Sequence, residues 1–501
     1  MLKKAFINAT AATLGTAAAM LAGLLVMPHL IAQMGAPRYG LWTLVTGITA
    51  YLTLLDFGVT AAVWRLTARI RESDGATALN ELISTAIVLL SGLCVVLCLA
   101  TWLAASVFCD LFPVPPEQVP DVVAAIWIVG LSTALTIPFG AYVGLVWAYE
   151  RFDLLNAVEI PAAVLRTAGV LIFVRHSWPL VHVAVINGAV SLLVVFSKTA
   201  ICYALAPQLR VRLRYVRRAC VQELFSFGFW MNLLVLSRAV VPQIISACIA
   251  RLISTSALTT FSVARQLVFY TNTFMNSATQ VLAPRAMALG ARAEAAPRTA
   301  LLLEGGRYAL ALTLFFFGGF SAFGAQFINI WQHGTQNAAY PLLLILLAGE
   351  LLPMSQWVTY SQIVGAQRQK FLAYTSALEG VAAVAAAALL LPHFGLAAAC
   401  VGISIVATLI RGVLLWWLGC RLLDVPLRQY VRRVFVPVTA TAAAPVLAAN
   451  AAGRWLQPAS WGELAALAIA YALLYAALLG WFLLGAERLR SMVTALRQLR
   501  A

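Results

Sequence analysis

The sequence has little charge. Charged residues fill 10% of its 501 positions and hydrophobic ones 62%, whereas a water-soluble domain carries about 25% charged residues and an apolar share of about half. A soluble globule is thereby excluded. Acidic side chains are the scarcest of the charged set: 18 Asp and Glu stand against 34 Lys and Arg, for a net charge of +16. The five histidines (His29, His176, His182, His333, His393) fall at helix ends or loops, and no two have metal-ligand spacing. Most of the eight cysteines lie singly inside apolar runs. Cys94 and Cys98 share a helical face but have no His or carboxylate beside them, so neither a disulfide framework nor a zinc site is expected. There is no GxSxG, no HExxH and no phosphate-cradling glycine loop, so nothing points to an enzyme, and no cofactor is implied beyond a coupled H+ or Na+.

What fills the sequence instead is apolar runs, in keeping with its mean hydropathy of +0.90. About fourteen are long enough to cross roughly 30 Å of hydrocarbon as helices. They begin near Phe6, Tyr39, Asn80, Val122, Phe152, Leu180, Leu224, Ser256, Leu301, Ala338, Phe371, Leu396, Tyr430 and Gly462. Because unpaired backbone groups are not tolerated in lipid, the expected fold class is an all-α polytopic membrane protein. The run after Lys3 and Lys4 is too long for a cleavable signal. Most basic residues fall on alternate loops, among them Arg65 and Arg69, Arg210 to Arg218, Arg428 to Arg433, and Arg488 to Arg500. Those loops are therefore cytoplasmic, and so are both termini. Nucleic acid is excluded as a partner, since the basic residues follow membrane topology and do not gather on one folded face. The cluster from Arg210 to Arg218 is a topology and headgroup anchor, with membrane lipids as its partners.

Organisation follows from the strongest break in composition. The basic cytoplasmic linker 210–223 separates an N-terminal lobe, 1–209, from a C-terminal lobe, 224–422, and 423–501 adds two further helices and a basic tail. The lobes repeat one another. At one constant offset Thr46 falls on Arg265, Thr53 on Asn272 and Thr60 on Thr279, and a mid-helix proline, Pro138 or Pro353, precedes a short polar turn in each lobe. With about six helices per lobe, the copies run parallel, related by an axis along the membrane normal. Two such lobes around a midplane cavity are the expected plan of an alternating-access carrier.

The stretch Tyr39–Arg71 sets a polar stripe, Thr46, Thr49, Thr53, Asp56 and Thr60, along one face of an apolar helix. An ionisable group in such a helix points to a cavity, or it joins two helices by hydrogen bonds. Gly35-Ala-Pro-Arg-Tyr-Gly-Leu-Trp42, Tyr51-Leu-Thr-Leu-Leu-Asp-Phe-Gly-Val59, Arg65 and Arg69 together resemble the second-helix region of bacterial Wzx-type oligosaccharide flippases. That superfamily, called MOP, also holds the multidrug and toxin extrusion antiporters and the lipid II flippase. The resemblance implies a transporter in the bacterial inner membrane that flips a polyisoprenoid-pyrophosphate oligosaccharide for O-antigen or exopolysaccharide synthesis. It also implies polymerase and chain-length proteins as partners. Twelve helices are usual in such flippases, and the extra pair resembles the lipid II branch.

A carrier of an anionic headgroup needs cations where water is scarce. Arg265, Arg238 and Arg166 lie well inside their runs, and Asn272 and Asn276 continue the face of Arg265, so these five with Thr46 and Thr53 are the candidate substrate-binding residues. Arg166 has Glu159 two turns away as a structural alternative. Lys198, Arg307 and Arg411 are near enough to helix ends to snorkel, and Glu304 stands one turn from Arg307. Asp56, Glu350 and Glu379 are the candidate ion-coupling carboxylates. A multidrug cation antiporter would want an acidic cavity instead, and a membrane sugar polymerase would need a large external loop, which is missing.

The charge asymmetry predicts that single cysteines replacing Gln118 and Pro458 react with an impermeant thiol reagent in intact cells. One replacing Ala296 is protected, and labelling there would reverse the orientation.

Overall fold

The computed structural model describes residues 2–53, 58–71, 75–175, 178–280, 286, 289, 295–366, 368–422 and 425–498. Over 2–14, 48–53, 225–239 and 481–498, and at residues 71, 76, 280, 295, 369 and 422, it describes the backbone alone. Every element among the described residues is helical. Nine helices among them are long and apolar enough to cross a membrane, or ten if one pair bent by 42° makes a single crossing. The chain is a multi-pass integral membrane protein. It divides into two compact units, Met1–Thr259 and Thr260–Ala501.

The first unit contains α1 (Leu2–Thr53), α2 (Val59–Arg71), α3 (Ala76–Leu111), α4 (Val119–Thr136), α5 (Gly140–Ala148), α6 (Phe152–Phe173), α7 (Leu180–Leu205) and α8 (Arg218–Leu252), and α9 (Thr255–Gln280) begins in it. Gly35 breaks α1 with φ 79°, a left-handed conformation open to glycine at little cost. The helix restarts at Pro37, whose missing N–H costs nothing in a first turn. Beyond the break, Gly40 lies so close to α9 that a Cβ would overlap the Thr255 carbonyl, and Thr259 Oγ1 donates to Ala36 O at 2.6 Å. Pro138 sits in a 3-10 turn, Ile137–Phe139, that separates α4 from α5. Around these breaks Val63, Leu66, Leu82, Ile83, Leu97 and Leu145 form a buried core. Two contacts distant in sequence close the ends of helices. Asp121 accepts from Leu180 N–H (2.7 Å) and Val181 N–H (3.0 Å), capping α7 with an acid where the helix dipole favours one. Asn80, Ser84 and Thr85 of α3 accept from the backbone N–H groups of Arg210, Arg212 and Arg217. The basic linker is thus fastened to α3 through its backbone while its arginine side chains stay exposed.

The second unit contains the rest of α9, α10 (Ala295–Trp331), α11 (Ala339–Ser355), α12 (Trp357–Gly365), α13 (Gln369–Ala407), α14 (Leu415–Leu422), α15 (Leu427–Tyr430), α16 (Val436–Leu456) and α17 (Trp461–Gln498). Pro353 lies at the bend from α11 to α12, and Gly395, at φ 77°, breaks α13 as Gly35 breaks α1. A π-helical stretch, Thr408–Leu414, joins α13 to α14. The last span packs on α10 through aromatic rings. Phe315 stacks on Tyr471 with centroids 5.2 Å apart, and the hydroxyls of Tyr471 and Tyr475 donate to Phe315 O (2.9 Å) and Ala311 O (2.6 Å). Pro458, in the turn between α16 and α17, is buried, so Gln118 is the more informative of these two labelling positions.

Gly40 and Gly92 give a paired test. A methyl at Gly92 meets nothing within 4 Å, whereas at Gly40 it meets a backbone carbonyl that cannot rotate away. Gly40→Ala is expected to destabilise the protein by about 1–3 kcal/mol, seen as a lower melting temperature of the detergent-solubilised protein. Gly92→Ala melts with the wild type, and equal melting of both variants would contradict the packing.

Candidate functional site

Apolar surroundings offer an isolated cation no counter-charge, so each arginine in a span must find one in the protein or await one. The two units treat this requirement differently. In the first, Arg166 lies well inside α6 and is half-buried. Its Nε is enclosed with no hydrogen-bond partner. Glu159, two turns earlier on the same helix, does not pair with it but takes Lys198 of α7 at 2.5 Å. The pairing is interhelical, between α6 and α7, and leaves the same-helix alternative unused. Glu159 therefore does not compensate Arg166, and it holds Lys198 in an ion pair.

Two further expectations about arginine are revised. Arg307 does not pair with Glu304: its Nε donates to the carbonyl of Arg433 at 2.8 Å, in the π-helical turn Val431–Phe435. Arg411 does not snorkel. The π-helical stretch carries it between α11 and α13, where its Nη2 lies 2.5 Å from Glu350 Oε1, its Nη1 3.1 Å from Glu350 Oε2 and its Nε 2.6 Å from Glu379 Oε1. The pairing with Glu350 is the two-bond fork that guanidinium and carboxylate planes favour. Glycine makes room for the junction: a Cβ at Gly349 would meet Ser404, and one at Gly412 would meet Leu352. The two glutamates expected as ion-coupling groups are thus both ligands of one arginine.

The remaining candidates divide by position. Thr46 is half-buried and donates back to Trp42 O (3.0 Å) and Thr43 O (3.1 Å) on its own helix. Arg265, Asn272 and Asn276 are half-buried along one stretch of α9 in the second unit, and Thr279 continues it with its hydroxyl donated to Met275 O at 2.8 Å. Asp56, and the side chains of Thr53 and Arg238, lie outside the described residues. No cluster of His, Cys, Asp or Glu among the described residues could hold a metal ion.

Sequence reasoning found the three charges of the glutamate–arginine group separately and missed their convergence. The available signal was that three apolar runs each carry one ionisable residue of complementary sign.

A profile of the family described as "Polysaccharide biosynthesis protein" matches residues 5–289. No curated protein matches the chain in sequence. Among solved structures, the chain is similar to an inward-facing multidrug resistance MATE family transporter of the MOP superfamily, at 14% identity and TM-score 0.69 over 82% of this chain and 94% of that one. It is similar to the lipid II flippase MurJ in an inward closed conformation, at 9% identity and TM-score 0.69 over 95% and 98%. It also resembles a MOP superfamily transporter from Pyrococcus furiosus described as having a binding pocket of reverse polarity, at 12% identity and TM-score 0.56 over 83% and 93%. At these identities the likeness establishes the fold.

Removing one partner from the glutamate–arginine group strands the others. Arg411→Leu is expected to cost about 3 kcal/mol, the low end for a buried pair because Arg411 keeps some exposure. The triple variant Arg411→Leu, Glu350→Gln, Glu379→Gln regains most of that loss. Melting curves in detergent decide it, and a single variant as stable as the wild type would show that the group carries no structural load.

Proposed function

Because the chain belongs to the polysaccharide biosynthesis protein family, we propose that it moves a polyisoprenoid-pyrophosphate-linked oligosaccharide from the cytoplasmic to the periplasmic leaflet of the bacterial inner membrane. In this reading it is a Wzx-type flippase working by alternating access and supplying O-antigen or exopolysaccharide assembly. A polymerase and chain-length proteins act after it. Both termini are cytoplasmic, and the chain crosses the membrane fourteen times. That count takes each glycine break, at Gly35 and Gly395, as a turn between two crossings, takes α11 with α12 as one, and adds α8 and the polar α9.

The observation that carries the proposal is Arg166. A guanidinium stays protonated at every physiological pH, so an arginine in a span with no anionic partner among the described residues is suited to an anion that arrives and leaves. A pyrophosphate, or an acidic sugar, is such an anion. Arg265, Arg238, Asn272, Asn276, Thr46 and Thr53 remain the further candidate substrate-binding residues of this reading. A drug-cation exporter is disfavoured by the same charges. Proton or sodium coupling is assigned to Asp56 and to Glu350 with Glu379, the latter two releasing or regaining Arg411 as the cycle proceeds. Lipid II is the second substrate to consider, because α16 and α17 make up a terminal pair like that of the lipid II branch, and its pyrophosphate would use the same arginine.

Each charge-assisted hydrogen bond to the pyrophosphate contributes about 1.5–3 kcal/mol, so losing one slows transport roughly tenfold or more. In a deletion strain, which accumulates lipid-linked sugar in the cytoplasmic leaflet, Arg166→Lys restores part of polysaccharide export. Arg166→Ala restores less and Arg166→Glu none, all at normal membrane abundance. Normal export by the alanine and glutamate variants removes Arg166 from the pathway. Their loss from the membrane makes it a structural residue.

A further inference from the structure

At one end of the second unit, α10 finishes beside the turn from α16 to α17, and a bowl of about 400 Å³ opens there. Its lining is Gln326 and Asn329 from α10, Gly453 and Arg454 from α16, and Gln457 and Ala459 from the turn. The volume falls at the low end of the roughly 300–1,000 Å³ typical of small-ligand sites. We propose that this bowl binds a neutral sugar residue of a glycan. The inference rests on the transport reading above, in whose orientation the bowl faces the periplasm.

The walls are rigid. A Cβ at Gly453 would overlap the Ala322 carbonyl, so α16 meets α10 backbone to backbone. Gln326 Nε2 donates to Gly453 O at 3.1 Å across the seam. The start of α17 is tied to α10 by Trp461 edge-on to Phe327, with centroids 5.7 Å apart. Rigid walls lower the ordering cost of binding. The turn contains Gln457 in the left-handed region at φ 39°, which is uncommon for a residue other than glycine.

The chemistry of the lining selects among ligands. With its nitrogen used, Gln326 is left with an enclosed Oε1 that has no donor, and an acceptor in that position is costly until something donates to it. Asn329 Oδ1 already accepts from Asn337 Nδ2 at 3.1 Å, so Asn329 offers its amide N–H groups, while Gln457 offers both donors and an acceptor. Arg454, the charged side chain of the lining, is exposed, so water screens its pull on an anion, and beyond it an anion finds less here. The C-terminal end of α16 presents carbonyls and the negative end of the helix dipole. The positive end of α17 is already taken, since Glu463 accepts from Ala459 N–H at 2.9 Å and Ser460 Oγ accepts from Glu463 N–H at 3.3 Å. A hydroxyl both donates and accepts, so a polyhydroxylated neutral ring satisfies this lining better than a phosphate does. Two aromatic faces stand next to it in the chain. Trp455 is 90% exposed and Trp461 52% exposed, and indole faces suit the C–H face of a sugar as well as the membrane interface.

The test uses the full-length protein in phosphatidylcholine nanodiscs and three free neutral probes, maltotetraose, cellotetraose and chitotetraose, read by saturation-transfer NMR. At least one probe is expected to give a signal. Gln326→Leu should weaken its affinity roughly tenfold, the effect of one lost hydrogen bond. Ala459→Trp, an exposed position on the rim, should fill the bowl and abolish the signal without disturbing the α10–α16 seam. The proposal is overturned if no probe binds or if binding persists in Ala459→Trp. It is equally overturned if phosphatidylglycerol in the nanodisc displaces the probe, which would mark a headgroup site. Export by the wild-type chain in the deletion strain is scored separately, so probe binding without export keeps the bowl and removes the transport reading.

Discussion

Hydrocarbon cannot hydrogen-bond, and the details of this protein follow from that constraint. Backbone polar groups must be satisfied within helices, so each interruption of a helix occurs where the local residues can bear it. Gly35 and Gly395 take the left-handed turns, Pro138 and Pro353 sit where a helix is already ending or bending, and the carboxylate of Asp121 accepts the first N–H groups of α7. The same constraint is harsher for charge, because an unpaired ion in a span costs more than an unpaired amide.

Two arginines in apolar spans show the two ways of meeting it. Arg411 is carried by a π-helical stretch into a fork with Glu350 and a bond to Glu379, an arrangement that three separate helical segments must cooperate to build. For Arg166 no such pairing is found among the described residues: Glu159, the carboxylate that stands on its own helix, is bound to Lys198. The first arginine ties three segments of one unit together, and the second keeps a guanidinium nitrogen without a hydrogen-bond partner among the described residues.

The contrast was only partly legible in the linear chain. Helical periodicity reports which residues share a face of one helix, and so it offered Glu159 for Arg166 and Glu304 for Arg307. Both carboxylates were wrong partners, because a neighbouring helix brought Lys198 closer to Glu159 and the π-helical turn at Arg433 brought a carbonyl to Arg307. Arg411 read as a snorkelling residue for the same reason: its distance from a helix end is visible in the sequence, and the two glutamates across from it are not.

Composition by itself determined the class. With 62% hydrophobic and 10% charged residues, the chain had to lie in a membrane as helices, and its mid-helix prolines Pro138 and Pro353 fall where helices end or bend, since a missing N–H is a property of a single residue. Only the tertiary structure decided which charges pair and which amides keep a bond unspent at the bowl beside α16. Those outcomes depend on distances between helices remote in sequence, and interhelical distance is set by side-chain packing throughout the unit, which local sequence does not encode.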